Sequence, residues 1–223
     1  MTKRAAMRAG ALLCLCLTGC SNLFQSKAKP EQTYYLRAPA AVAAAATPMS
    51  ATLRVMRPIT DPGLDNARII LVQADHRMNF YSGSRWAAPA PELIEALAVQ
   101  TLRGSGDWAS VEGSASPFPS DYMLQVRVRR FEADYAQADT APVVRVVLDC
   151  ILGRRPGREV LATFTVSGDA TSSANHLSQV VAAFEQATAT ALEGLARQTA
   201  QAARADLERA AQNEDKGSAS SHR

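Results

Sequence analysis

Alternation between apolar and polar residues in the centre of the chain constrains the fold more than any other feature. Apolar residues occupy every even position in residues 121–128 and again in residues 143–152, where the odd positions are mixed: Val143, Arg145, Val147, Asp149 and Ile151. A period of two is that of a β-strand with one buried face. Residues 158–167 continue the pattern, and the Gly- and Pro-containing segment 153–157 predicts a hairpin turn between the last two strands. We therefore expect neighbouring antiparallel strands here.

Helical spacing appears on both sides of this centre. Pro91 and Glu92 suit a first helical turn, an apolar stripe follows, and Gly104 ends the helix. A second stripe begins at about residue 173 and loses its large apolar residues past Arg197. Shorter strands are expected at 33–36, 52–57, 68–73 and 77–81, with a loop at 38–50.

The predicted class is α+β: a largely antiparallel sheet with two helices packed on one face, of which the C-terminal helix is long.

The first twenty residues are typical of an export signal. Lys3, Arg4 and Arg8 precede an apolar run of about nine residues, which is too short to span a membrane. Leu17-Thr18-Gly19-Cys20 is similar to a bacterial lipobox. In that motif the chain is cut between Gly19 and Cys20, diacylglycerol joins the Cys20 sulfur, and a fatty acid such as palmitate usually joins the new amine. The alternative is an ordinary signal peptide that happens to contain a cysteine.

The sequence thus divides into four parts: a lipoprotein signal peptide at 1–19, a lipidated N-terminus and flexible tether at 20–32, a folded domain at 33–212, and a disordered tail at 213–223. Two or more acyl chains give a durable membrane anchor. Ser21 after the lipidated cysteine, where some sorting systems read Asp, favours the periplasmic face of the outer membrane.

Removing the signal changes the charge and the cysteine content. The full chain has a formal net charge of +3, and the signal holds Lys3, Arg4 and Arg8, so the mature chain is neutral. Neutrality argues against nucleic acid as a partner. Cys14 and Cys16 leave with the signal, which leaves Cys150 as a single unmodified thiol with no disulfide partner. Its apolar strand predicts a small buried side chain, with a catalytic nucleophile as the alternative.

No motif in the sequence predicts catalysis, a cofactor or a metal site. The three histidines, His76, His176 and His222, share no ligand spacing with Cys, Asp or Glu, and no HExxH or CxxC occurs. The Gly-Ser-Gly at 104–106 follows a helix and lacks the rest of a phosphate loop. We therefore expect a protein that is not an enzyme and has neither catalytic, cofactor-binding nor metal-binding residues.

Two groups of residues are candidates for an interface. Arg127, Arg129 and Arg145 lie on the outward positions of the long strands beside Val147 and its apolar neighbours. Such a face is either solvated or covered by another subunit or a partner. Arg85 and Trp86 precede the first helix, and Trp86 either packs a loop onto the core or anchors an interface.

The order of several short motifs resembles the ABC-type transport auxiliary lipoprotein family, the PqiC-like lipoproteins. The resemblance covers roughly residues 33–200. The matching segments are Tyr34-Tyr35-Leu36, Leu53-Arg54-Val55, Leu64-Asp65, Arg68-Ile69-Ile70, Arg85-Trp86-Ala87, Pro91-Glu92-Leu93-Ile94, Asp121-Tyr122 and Val126-Arg127-Val128, followed by the long helix.

The resemblance implies a non-enzymatic part in lipid transport across the cell envelope. The expected partners are the membrane, through the lipid, and an MCE-type periplasmic protein, which in turn connects to an ABC permease and ATPase. Contacts within a homo-oligomer are a further expectation. The alternative is a structural or regulatory envelope lipoprotein, such as an activator of a cell-wall synthase, which would share the anchor, tether and small domain.

Overall fold

The computed structural model describes residues 30–39, 47–136, 141–155, 157 and 159–221. The predictions for the signal peptide, for Gly19 and Cys20 and for most of the tether lie outside these residues. In chain order the elements are β1 (Gln32–Tyr34), β2 (Met49–Val55), β3 (Ile59–Thr60), β4 (Arg68–Gln73), β5 (Met78–Trp86), α1 (Ala90–Gly104), β6 (Trp108–Glu112), β7 (Tyr122–Tyr135), β8 (Val143–Arg154), β9 (Glu159–Thr171) and α2 (Leu177–Ser221).

Strand β7 is the centre of the sheet. Along one side it pairs with β8 in antiparallel register over nearly its whole length, and β9 pairs with β8 in the same way. Its other side is shared by three short parallel strands, β2 near Tyr122, β3 near Arg127 and β4 near Ala133. Strands β5 and β1 extend the sheet beyond β4, and β6 extends it beyond β2.

The α+β class is confirmed: the described residues form two helices, of which the C-terminal one is long. The two longest ladders are antiparallel, as the alternation predicts. The sheet as a whole is mixed, because most of the short strands join in parallel. Strand β6 has no counterpart in the sequence-based prediction, because its five residues are too few to establish a period.

The alternation in β7 and β8 decides which face is buried. Leu124, Val126 and Val128 of β7, and Val146 and Leu148 of β8, are fully buried. Helix α2 packs on this inner face over β8 and β9, and α1 packs beside β2 and β6 and against α2. Burying these branched side chains stabilises the domain by about 1.5–3 kcal/mol each.

Three aromatic rings join the sheet to α2. Trp86 lies 5.0 Å from Phe184 in an edge-to-face arrangement and 5.7 Å from Phe131, and the two phenylalanines are 5.1 Å apart, all measured between ring centroids. Such pairs contribute about 0.5–1.5 kcal/mol beyond the area they bury. The cluster fixes the end of β5, the middle of β7 and the first half of α2 relative to one another.

Strand β9 departs from the predicted phase. The sequence places Val160 in phase with Val166, yet Val166 is buried and Val160 is 62% exposed. The register shifts between Leu152 and Gly153 on β8, so the residues of β9 before the shift change faces. A single-residue bulge of this kind is invisible to a strict alternation rule.

Helix α2 extends further than the sequence predicts. Its described backbone continues to Ser221, through most of the segment 213–223 for which a disordered tail is expected. The alanine-rich stretch at 196–211 has high helix propensity, whereas residues 213–221 include Gly217 and three serines, so propensity does not explain the continuation there. Packing itself continues to Asp206, which is buried, whereas Leu207 is 38% exposed.

Candidate functional site: the outer sheet face

The outer sheet face is the surface opposite the helices, formed by the outward side chains of β7, β8 and β9 and the adjoining β3. Within the described part of the chain no helix packs on it. The structure places Arg127, Arg129, Arg145 and Val147 on this face, as the alternation predicts. Its character is set by interlocking arginine and carboxylate side chains rather than by an apolar patch.

The first group of ion pairs lies near β3. The Arg127 guanidinium donates to Asp61 at 3.1 Å, and Arg129 lies 3.5 Å from Asp149. Thr165 on β9 donates its hydroxyl to the other Asp149 oxygen at 2.7 Å. Asp149 therefore links β7, β8 and β9 across the face.

The second group surrounds a buried carboxylate. Arg130 donates to Glu132 at 2.7 Å and to Asp134 at 3.1 Å, and Arg145 bridges Asp134 at 2.9 Å and Asp169 at 3.0 Å. Burial lowers the pKa of Arg130, but the two carboxylates outweigh that effect and raise it. Glu132 is only 7% exposed, and Arg130 is the ion-pair partner that compensates the burial of its carboxylate.

A bulge explains why sequence reasoning missed half of this second group. The register of β7 shifts between Val128 and Arg130, so the outward positions change from odd to even. Arg130, Glu132 and Asp134 therefore share a face with Arg129, although strict alternation assigns them to the inner one. The outward position of Glu132 could have been found from charge complementarity, because Glu132 pairs across the strands with the oppositely charged Arg145.

Apolar side chains frame a shallow cavity on the same face. Ile59 and Ile151 are 47% and 41% exposed, and they flank the ion pairs of Arg127 and Arg129. The cavity is lined by Ile59, Gln125, Arg127, Arg129, Asp149, Ile151, Thr163, Phe164 and Thr165. The carboxylates hold the guanidinium groups of this face in fixed orientations. A surface with oriented charged groups beside exposed apolar side chains suits specific binding of another protein.

The structure does not bring Arg85 and Trp86, the second predicted interface group, together with the residues of the outer sheet face. Trp86 is fully buried in the aromatic core, which agrees with the packing alternative and leaves its ring no surface to offer a partner. The N–H of its indole has no hydrogen-bond partner within the described structure. Arg85 is exposed on β5, between β1 and β4, and its Nε donates to the Trp86 carbonyl at 3.3 Å.

A polar cluster that the sequence did not indicate holds the second half of α2. The Asp206 carboxylate accepts from the Tyr122 hydroxyl at 3.0 Å and from Arg154 at 2.7 Å. Burial and the hydrogen bond to Asp206 raise the pKa of Tyr122 to about 12. Arg204, two residues earlier, donates to Asp107 at 2.8 Å. These contacts fix α2 against both halves of the sheet.

Cys150 is fully buried and has no disulfide. Burial, reinforced by Asp149, raises the pKa of its thiol to about 12, so the reactive thiolate is scarce at neutral pH. Among the described residues no three His, Cys, Asp or Glu side chains are grouped to hold a metal ion. The described helices include none with the length and apolar character needed to cross a membrane.

The fold and this face define a class: a two-layer α+β domain with helices on one side of a mixed sheet and an open, ion-paired face on the other. Residues 34–212 match the model of a family described as the ABC-type transport auxiliary lipoprotein component. The chain belongs to that family. It is accordingly a lipoprotein of the cell envelope associated with ABC-type transport.

Solved structures agree with this assignment. A crystal structure of a protein from Xanthomonas campestris superposes with a TM-score of 0.70 at 30% identity, over 79% of this chain and 99% of that one. A second crystal structure, of an uncharacterized protein, has a TM-score of 0.60 at 16% identity, over 76% of this chain and 99% of that one, and shows the fold alone. No curated protein sequence matched.

Proposed function

We propose that this protein is held at the periplasmic face of the outer membrane by lipid on Cys20 and serves, without enzymatic activity, an MCE-type ABC system that transports lipid across the envelope. The observation that carries the proposal is the family match over residues 34–212, directly behind a lipobox and a short tether. Ser21 after the lipidated cysteine supports the outer membrane as the address.

The outer sheet face is the surface we assign to the MCE-type partner. It is the broad face that no helix of the described structure covers. Its ion pairs restrain long side chains before a partner arrives, which lowers the entropy lost on binding. The exposed Ile59 and Ile151 supply apolar contacts among them.

Site-specific photocrosslinking in cells tests this assignment. A photoreactive amino acid replaces Ile151 on the outer sheet face or, as the control, Leu207 on α2, which are 41% and 38% exposed. We expect an MCE-type protein to crosslink to position 151 and not to position 207. Recovery of a cell-wall synthase at position 151, with no MCE-type or ABC subunit, would favour the regulatory alternative and refute the transport role.

Crosslinks at position 151 between two copies of the chain would instead assign the face to a homo-oligomer. The membrane-bound complex is then sized with and without Ile151→Asp. If that variant loses the oligomer but still recovers the MCE-type protein, the MCE-type protein binds a different surface of the domain.

The anchor is tested separately by fractionation. The Cys20→Ala variant should leave the membrane fraction, since the acyl chains supply the anchor. The Ser21→Asp variant should move from the outer to the inner membrane. An inner-membrane location of the unaltered protein would contradict the assigned address while leaving lipidation in place.

A further inference from the structure

Two apolar side chains are half exposed near the start of β5. Met78 is 49% exposed and Phe80 is 48% exposed. Their cross-strand partners on β4 are Val72 and Ile70, so four apolar residues share one face of this hairpin. We call Met78, Phe80 and the adjacent Arg68 the hairpin patch.

Arg68 gives the hairpin patch a positive charge. Its guanidinium carbon lies 4.2 Å above the centroid of the Phe80 ring, a cation–π arrangement. Arg68 has no ion-pair partner within the described residues, in contrast to the arginines of the outer sheet face. An arginine side chain can cover apolar surface with its stem while its charge stays in water, which suits the boundary between water and lipid.

The direction of β1 relates this hairpin patch to the N-terminus. β1 is parallel to β5, with Gln32 opposite Ser84 and Tyr34 opposite Trp86. The chain therefore enters β1 from the end of β5 at which Met78 and Phe80 lie. Phe80 precedes Ser84 by four residues, or about 13 Å of extended strand.

The length of the tether limits how far the hairpin patch lies from the anchor. Cys20 precedes Gln32 by twelve residues, a length of chain that spans at most about 40 Å. A lipid on Cys20 thus keeps this end of the domain close to a bilayer.

We propose that the hairpin patch is the surface on which the domain rests on the bilayer, with Phe80 and Met78 in the interfacial region and Arg68 against lipid phosphates. This proposal rests on the lipidation of Cys20 proposed above. Partial insertion of apolar side chains and attraction of arginine to anionic head groups are each weak, and they act together with a lipid anchor.

The domain then has a fixed orientation relative to the membrane. Val72 lies beside Asp134 in the register of β4 and β7, so the hairpin patch is on the same side of the sheet as the outer sheet face. Ile151, the position assigned to the partner, lies on β8, on the opposite side of β7 from β4.

The test uses the full lipidated protein in vesicles of phosphatidylethanolamine and phosphatidylglycerol. A Ser82→Cys variant carries an environment-sensitive fluorophore two residues from Phe80, which leaves Met78, Phe80 and Arg68 intact. The control carries the same fluorophore at Val160→Cys on β9, where the native side chain is 62% exposed. Acylated Cys20 and buried Cys150 take no label in the native state.

Lipids with a nitroxide on the acyl chain report proximity to the bilayer. We expect them to quench the fluorophore at position 82 several-fold more than at position 160. In the Met78→Ser, Phe80→Ser double variant the quenching at position 82 should fall to the level at 160. Equal quenching at 82 and 160 in vesicle-bound protein, or no effect of the double variant, overturns the proposal.

Two measurements separate this outcome from failure of the proposed function. The mass of the N-terminal peptide reports acylation of Cys20, and co-sedimentation with vesicles reports anchoring. An acylated, sedimenting protein with equal quenching refutes the hairpin patch alone. A protein without the acyl chains refutes the anchor and with it the proposal built on it.

Discussion

Gly168 of β9 lies directly under the backbone carbonyl of Ala187 in α2. A Cβ atom at position 168 would stand 2.0 Å from the Ala187 oxygen and 2.9 Å from its carbonyl carbon. Helix backbone cannot shift locally without losing hydrogen bonds, so the close approach requires glycine. We predict that Gly168→Ala lowers the free energy of unfolding by on the order of 3 kcal/mol, measured by urea denaturation.

Gly194 in the same helix provides the matched control. A Cβ there would lie 3.4 Å from Cγ1 of Val166, an ordinary contact, and alanine favours the helix over glycine by about 1 kcal/mol. Gly194→Ala should leave stability unchanged or raise it slightly. Equal losses in the two variants would show that α2 does not approach β9 as closely as the structure places it.

The two arginine groups of the outer sheet face should differ in their contribution to stability. Arg130→Ala leaves the buried Glu132 without its hydrogen-bond donor, whereas Arg127→Ala breaks a pair whose side chains are 51% and 39% exposed. We expect losses of about 1–2 kcal/mol for Arg130→Ala and within about 0.5 kcal/mol for Arg127→Ala, by urea denaturation. Similar values for both would mean that Glu132 finds another donor or is hydrated.

The contact between Tyr122 and Asp206 predicts a loss of stability at high pH. An unfolded tyrosine loses its proton near pH 10, whereas Tyr122 in the folded protein keeps its proton to about pH 12. Between these values the unfolded state binds fewer protons, so the contribution is complete below pH 10 and is lost as the pH rises towards 12. The Tyr122→Phe variant should show a shallower decline in unfolding free energy over that interval.

Asp206→Asn tests the cause of the raised pKa. Removing the negative charge should lower the pKa of Tyr122, followed by the ultraviolet absorbance of tyrosinate in the folded protein. An unchanged titration in this variant would assign the shift to burial alone.

Cys150 should be inert until the domain unfolds. Its full burial and raised thiol pKa predict no alkylation by iodoacetamide at neutral pH in the native protein and complete alkylation in denaturant. Mass spectrometry of the peptide that contains Cys150 provides the measurement. Rapid alkylation without denaturant would indicate that β8 opens locally.

The sequence predicts the parts of this fold that are governed by a regular period. Leu124 in β7 and Leu148 in β8 are buried as their even positions require. The long ladders are antiparallel because their connections are short, which proximity in sequence already indicates. The parallel pairing of β2 with β7 is not readable in this way, because about 70 residues separate Leu53 from Tyr122 and no local pattern specifies their register.

The residues of the candidate site, too, could be predicted only where the strands alternate regularly. Arg127 and Arg145 were predictable because they occupy odd, outward positions within regularly alternating strand segments. Arg130 and Glu132 follow a bulge that reverses the alternation. Asp206 was missed because a carboxylate in a long polar helix carries no sign of its tertiary partners. Arg154, which comes from the far end of β8, provides the charge that makes its burial tolerable.

The position of β7 also has a consequence for the order of folding. The short strands β2, β3 and β4 each depend on β7 to cover one edge, although β4 can first pair with β5, and a chain synthesised from its N-terminus presents them well before Tyr122. Strands β7, β8 and β9 follow one another along the chain and can pair as they appear, whereas the earlier strands must wait with open edges. The first half of the molecule is therefore the half that needs protection from aggregation during biogenesis.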